Sequence, residues 1–243
     1  HYSLCTAFMA ASMMLPGLFA NIYKYVSKQH RDNKLLFLSY NDALVDKARA
    51  SVRAILSYYS EFNQKEYFTN EENVKHFNKA FMPFREFLKS VFLDEKGIRQ
   101  FSEEKHISYE RFVELYRTDY MQGGYRYSPS ILWSVIRTFI KGRRLEYFTP
   151  ADYENDTLIV RGDKTVDQKV YKEAYKVWEN WYRTYYEEKG MWDDLDLVRY
   201  ALKHITDKNI SALHEYAVIF CDEAQDFTKL EIDLILKLSK HSN

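Results

Sequence analysis

The sequence predicts an α/β fold, a parallel sheet flanked by helices, with a large and mostly helical insertion. Two apolar runs carry the sheet. Leu35 to Ser39, apolar up to its small polar end, and Ala217 to Cys221 are short apolar runs bounded by polar residues, the pattern of buried strands. The third observation is the stretch from 94 to 205, where apolar residues recur at helical spacing with no strand pattern between them.

Taken in order, a first strand is expected at residues 13–16, followed by a helix from Gly17 to Val26. The apolar stretch from Leu4 to Ala20 lacks a basic leader and is too short and mixed to span a bilayer, so it reads as core. The strand at 35–39 leads into a helix marked by Val45, Ala48, Val52, Ile55 and Tyr59 at spacings of three and four. A further strand is expected at 79–84. In the insertion, Ser128, Pro129 and Ser130 open a helix carrying Ile131, Val135, Ile136, Phe139 and Ile140. A longer helix aligns Tyr171, Ala174, Tyr175, Trp178, Trp181, Tyr182 and Tyr185 on one face and ends at Gly190, and this aromatic stripe reads as packed core. Another starts near Asp193 with Leu197, Val198, Ala201, Leu202 and Ile205, and its opening acids Asp193, Asp194 and Asp196 read as N-terminal helix charges. Residues 152–167 are polar with charges of both signs and read as a mobile loop. A last strand at 217–222 precedes a helix from about Leu230 to Leu238.

Composition narrows the class. With 243 residues the chain holds one large domain, or a domain plus an insertion. The net charge is +0, so no global basic field attracts nucleic acid, and any such binding must come from local patches. One patch is Lys141 to Arg144, with Arg126 before it, which suits either phosphate contacts or a solvated helix C-terminus. Aromatics reach 17%, with 21 Tyr, which permits base stacking at the surface. Of two cysteines, Cys221 falls in a predicted buried strand, so a disulfide with Cys5 is not expected and a reducing intracellular compartment is the default. The expected location is the cytoplasm, or the nucleus in a eukaryote.

The chemistry concentrates after the last strand. Ala217 to Cys221 deliver Asp222 and Glu223, then Ala224, Gln225 and Asp226. Acids at the carboxyl end of a parallel strand sit where open α/β sheets place their ligands. One Asp can hold a Mg²⁺ that bridges phosphate oxygens, and the adjacent Glu can orient and deprotonate an attacking water, which suits a nucleoside triphosphatase. The plainer reading is solvated acids capping the following helix.

Asp222-Glu223-Ala224-Gln225-Asp226 resembles motif II (Walker B) of superfamily 1 helicases of the UvrD/Rep type. Leu35 to Asn41 is similar to their motif Ia, a strand ending in small-polar, aromatic, amide and then a helix; the plainer alternative is a core Tyr40 and a helix-capping Asn41. Phe81 to Leu88 falls where the family has a strand followed by Thr-Phe-His-Ser; here Pro83, Phe84, Arg85 and Glu86 stand there, and only the Phe is kept. Arg85 suits a phosphate contact or a surface salt bridge equally. More loosely, Lys105 to Phe112, Ile140 to Gly142 and Trp192 to Leu197 resemble segments of large UvrD-like proteins.

The resemblance covers nearly all of the chain after Gly17. It implies a RecA-like ATPase domain 1A at 1–93 and 206–243 and a helical 1B-like insertion at 94–205. It implies ATP and Mg²⁺ as cofactors, and movement along single-stranded or partly duplex DNA, usually 3′ to 5′. Asp222 would hold the metal and Glu223 would be the general base. Gln225 would sense the γ-phosphate, and Asp226 would stabilise the motif. Ser39, Tyr40, Asn41, Phe84 and Arg85 would lie along the DNA track. A second RecA-like domain, and in RecB-like relatives a nuclease, would follow downstream. One departure stands out. The family needs a glycine-rich loop ending in Gly-Lys-Thr/Ser, and the sequence has none; its place would be the junction of Pro16 and Gly17. The chain begins at His1 and ends just after motif II, as expected of a fragment or an incomplete record. The competing expectation is a catalytically inactive interaction or regulatory module on the same scaffold.

Overall fold

A computed structural model describes residues 15–29, 34–59, 62, 67–93, 95–120, 127–156, 166–207 and 216–239. The chain divides into two compact units. One comprises His1–Val91, Ile205–Phe227 and Asp233–Asn243, the other Phe92–His204 and Thr228–Ile232.

The first unit is α/β. Among the described residues its strands are β1 (Lys34–Ser39), β2 (Phe81–Pro83) and β3 (Tyr216–Cys221), which form a parallel sheet in the order β2-β1-β3. Helix α1 (Leu15–Gln29) precedes β1, α2 (Asp42–Ser57) and α3 (Glu71–Lys79) link β1 to β2, and α4 (Phe84–Phe92) follows β2. β1 is central, and its residues from Leu35 to Ser39 are all buried, as its unbroken apolar run requires. One side chain of α1 reaches all three strands. The Phe19 ring lies 6.1 Å from Phe37 of β1, 4.8 Å from Phe81 of β2 and 5.1 Å from Phe220 of β3. α2 buries Val45, Ala48, Val52 and Leu56, one helical face. Ile55 and Tyr59, expected on that stripe, pack at its margin.

Two expected strands differ. Leu15 and Pro16 belong to α1 and not to a strand; proline is well placed in a first helical turn, where its missing N–H has no partner to lose. The rest of that expected strand lies outside the described residues, as does Cys5. The strand expected at 79–84 shrinks to Phe81–Pro83. Lys79 ends α3, Pro83 has no N–H to extend the ladder, and Phe84 already starts α4.

The second unit is helical. Its segments are Glu95–Gln100, Tyr109–Leu115, Pro129–Val135, Pro150–Asn155, Gln168–Val177, Arg183–Glu187 and Asp194–Asp207. Three of them widen into π-helical turns, at Tyr116–Tyr120, Ile136–Lys141 and Trp178–Tyr182. The expected aromatic stripe is core: Tyr171, Ala174, Trp178, Tyr182 and Tyr185 are buried, with Tyr175 and Trp181 packed against them. Residues 152–155 of the expected loop are helical, and Asp167 caps the next helix. Residues 157–165 lie outside the described residues.

A buried ionic cluster organises this unit. The Lys141 ammonium lies 2.6 Å from Asp193 Oδ2 and 2.7 Å from Asp196 Oδ1. The Tyr182 hydroxyl donates to Asp193 Oδ2 at 2.8 Å. Asp193 Oδ1 accepts from the amides of Leu195 and Asp196, and Asp196 Oδ2 from the amide of Asp193, a reciprocal cap on the helix that follows. The Arg199 guanidinium donates to the carbonyls of Lys141, Arg144 and Leu145. Burial opposes the charge on Lys141, but the two carboxylates prevail and hold its ammonium above its usual range. Burial, and then the charge of Asp193, pushes the Asp196 carboxyl up to about 6.

The basic patch expected at Lys141 to Arg144 is therefore corrected. Lys141 is internal, Arg143 pairs with Asp156 at 2.9 Å, and Arg144 pairs with Asp152 at 2.6 Å. Arg126 lies outside the described residues.

The segment 228–232 of this unit opens the helix Lys229–Leu238 with a capping box. Thr228 N donates to Glu231 Oε2 at 2.6 Å and Glu231 N to Thr228 Oγ1 at 3.4 Å. Glu231 is fully buried, with the Arg137 guanidinium 3.3 Å away. Burial pushes its carboxyl up to about 8, opposed by the Thr228 amide bond.

Two outcomes are expected. Lys141→Met should cost about 3–5 kcal/mol in chemical denaturation, because it strands two buried carboxylates; a loss under about 1 kcal/mol would show the cluster to be dispensable. Glu231 binds its proton more tightly folded than unfolded, so its stabilising share is complete below the ordinary glutamate value of 4.5 and lost as pH rises toward about 8. Glu231→Gln should therefore gain melting temperature relative to wild type as pH goes from about 5 to about 8. A pH-independent difference would contradict this.

Candidate active site

The site is built at the carboxyl edge of the sheet in the first unit. From β1 the chain goes to β2 on one side, and β3 lies on the other, so the order switches between β1 and β3. Ligand crevices of open α/β sheets form at such a switch. The ladder sets the register there: Leu38 pairs with Cys221, and Asp222 N donates to Leu38 O at 2.9 Å. Asp222 thereby stands level with Ser39.

β3 becomes more buried along its length, through Ile219, Phe220 and Cys221 to Asp222. Burial pushes the Cys221 thiol up to about 12, which makes it an inert core group. Asp222 is only 6% exposed. Burial raises its carboxyl above the usual range; the Glu223 amide, donating to Oδ1 at 3.1 Å, opposes this, and the Glu223 charge adds to it. Glu223 adopts a left-handed backbone, φ 53° and ψ 45°, and is the one non-glycine residue with positive φ among those described. Such a conformation costs about 1–2 kcal/mol for an L-residue. It turns the chain sharply out of the strand into one 3₁₀ turn, Ala224–Asp226, closed by Asp226 N to Glu223 O at 2.8 Å. The exposed Gln225 donates its side-chain amide to Glu223 Oε2. Asp226 is also exposed.

At the tip of β1, Ser39 is buried and its Oγ accepts from Asn41 N at 3.2 Å. Asn41 is exposed and caps α2, its Oδ1 accepting from Ala43 N at 2.9 Å and Leu44 N at 3.4 Å. Tyr40 is half-buried. Its ring lies 5.5 Å from Phe84 and 4.7 Å from Phe227, and those two stand edge-to-face at 5.0 Å. Arg85 is half-buried in the first turn of α4.

The fold thus gathers Asp222, Glu223 and Gln225 with Ser39, Tyr40 and Asn41 at one edge. Phe84 departs from expectation. At 1% exposure it presents no open ring face to a base and instead supports Tyr40 from beneath. Phe227 is an addition to the expected set; its signal in the sequence is an aromatic residue directly after the acidic motif.

The donor set suits a hard cation. Among the described residues no three His, Cys, Asp or Glu side chains converge as a metal cage. A single buried carboxylate beside a second acid matches Mg²⁺, which is held by one or two carboxylates and keeps its waters and the substrate phosphates. A cavity of about 690 Å³ lies elsewhere in this unit, along the outer edge of β2 between Arg49, Phe68, Met82 and Glu86, and none of the β1 or β3 tip residues lines it. In the second unit, Asp193 and Asp196 are committed to Lys141 and are not ligands. No helix among the described residues is long and apolar enough to cross a membrane.

No family model matches the chain, and no curated protein or solved structure matches it either.

The left-handed turn yields its own expectation. Glu223→Gly should melt no lower than wild type, with up to about 1 kcal/mol gained, since glycine adopts this backbone without the steric penalty. A clear loss of stability would mean the Glu223 side chain holds the turn.

Proposed function

We propose that this chain is part of a UvrD/Rep-like superfamily 1 DNA helicase or translocase, with its RecA-like domain in the first unit and its 1B-like insertion in the second. ATP hydrolysis would be coupled to movement on single-stranded or partly duplex DNA, usually 3′ to 5′. The observation that carries the reading is the acidic motif Asp222 to Asp226 at the carboxyl end of a parallel strand, at the sheet's switch point and level with the Ser39-Tyr40-Asn41 tip. The strained Glu223 supports it, because left-handed non-glycine residues gather at functional turns.

In this reading Asp222 holds Mg²⁺, which when bound neutralises charge on the phosphates. Glu223 orients the attacking water and accepts its proton, and its left-handed backbone turns it out of the strand end. Gln225, bonded to Glu223, reports the state of the γ-phosphate to that base. Tyr40 offers a half-buried ring on which a base of any sequence can stack. Asn41 contributes mainly by capping α2, its side-chain oxygen being engaged there. Arg85 supplies a cation at this edge for a phosphate. The activity belongs to the complete protein, with a second RecA-like domain expected to finish the ATP site.

One observation favours a second reading, a catalytically inactive interaction or regulatory module. Pro16 and Gly17 lie inside the unbroken helix α1, where the resemblance calls for a Gly-Lys-Thr/Ser loop. Equilibrium binding of Mg·ATP separates the two, since an inactive scaffold without a phosphate loop binds none.

The deciding test is steady-state ATP hydrolysis by the complete protein with oligo(dT). Glu223→Gln should reduce kcat by about 10²–10⁴-fold while nucleotide binding persists, as for loss of a general base. Wild-type hydrolysis that Glu223→Gln leaves untouched would remove the assignment.

A further inference from the structure

The cavity of about 690 Å³ beside β2 is well inside the size range of ligand sites. Its two main walls are α3 and the segment from β2 into α4, and they join at Ala80. Lys79 therefore stands at the joined end, with Lys75 one turn away along α3, while Glu71 and Glu86 stand at the far ends of the two walls. All four are exposed. Among the described residues neither lysine pairs with a carboxylate and neither glutamate with a cation. Between these charges, Val74, Met82 and Pro83 present half-buried apolar surface. Three kinds of occupant ask different things of such walls. An added strand needs a free ladder edge. Ala80 O is bonded to β1, so Phe81 and Pro83 are the residues that face outward; Phe81 O already accepts from the Arg49 guanidinium at 3.2 Å, and Pro83 has no N–H. A nucleic-acid strand needs open ring faces, and the two rings of the lining, Phe68 and Phe81, are only 5% and 1% exposed. An amphipathic helix needs an apolar floor between charged rims, which is what these walls offer. From Glu71 to Lys79 the lining side of α3 is about 12 Å long, so a helix of about two to three turns covers it.

We propose that this cavity docks an amphipathic helix of a partner protein, lying antiparallel to α3, with acidic residues in its first turn, basic residues in its last and large apolar side chains between. Its acids then meet Lys75 and Lys79 and its bases meet Glu71 and Glu86, and its own dipole favours the same placement of charge. The face shares no residue with the candidate active site, so it stands or falls independently of the ATPase reading.

The test titrates a fluorescein-labelled peptide of about 14 residues with the complete protein; the peptide carries Asp and Glu in its first turn, Leu at i, i+3, i+4 and i+7, and Lys and Arg in its last turn. A second peptide has the two charged ends exchanged. By fluorescence anisotropy the first should bind with a Kd of about 10 μM or tighter, and the second about fivefold more weakly or worse. Lys75→Glu with Lys79→Glu should erase this preference, and adding Glu71→Lys with Glu86→Lys should reverse it, which nonspecific apolar binding does not do. Val74→Asp should abolish binding of both peptides. No binding, equal binding of the two peptides, or a preference that the charge exchanges leave unmoved overturns the proposal. So does displacement of the peptide by oligo(dT), which gives the face to nucleic acid, or self-association of the protein that Val74→Asp abolishes, which gives it to a second copy. If Val74→Asp fails to fold, the charge exchanges decide alone, since all four side chains are exposed.

Discussion

The parallel ladder between β1 and β3 is the constraint on which the candidate site depends. Its last bond, Asp222 N to Leu38 O, fixes where β3 stops relative to β1. In a parallel pair, a slip of one residue turns every side chain to the other face. Such a slip would take Asp222 from its buried position at the switch point and carry Phe227 away from Tyr40. The register is held from one side by Phe19, whose ring meets a phenylalanine on each strand. The strands among the described residues are short, so one aromatic wedge that touches each of them has a large effect on their alignment.

The second unit solves a different problem. It is built from helices that widen into π turns. The Lys141 ammonium neutralises the capping pair Asp193 and Asp196, while Arg199 from the helix so capped returns to the carbonyls around Lys141. Each member satisfies groups that another would leave buried and unpaired. Such a cluster contributes less net stability than an apolar core of equal volume, but it penalises every arrangement that separates its members.

The acidic turn combines three costs in a few residues: a left-handed glutamate, a buried aspartate with a raised carboxyl, and two like charges side by side. A fold selected for stability alone would have placed glycine at 223 and an apolar residue at 222. Costs gathered at one strand end, beside a half-buried tyrosine, single this turn out as the candidate site.

Local patterns are legible in the residues. The apolar runs found in β1 and β3, the spacing of Val45, Ala48 and Val52 in α2, the aromatic face from Tyr171 to Tyr185, and the cap at Asn41 each depend on neighbours within a few positions, so the sequence by itself determined an α/β unit with parallel strands and a helical segment. The acidic motif is equally local, five consecutive residues that follow one apolar run. Pairings across the chain are not legible in this way. Lys141 reads as one cation of a surface patch until Asp193 and Asp196, far along the chain, bury it. Phe84 reads as a base contact until Tyr40 and Phe227 cover it. Pro16 reads as a strand end until its place in a first helical turn makes its missing N–H harmless. Periodicity reports which face of an element is apolar. Only the tertiary structure decides what that face meets, because burial and ion pairing are set by residues that the local sequence does not contain.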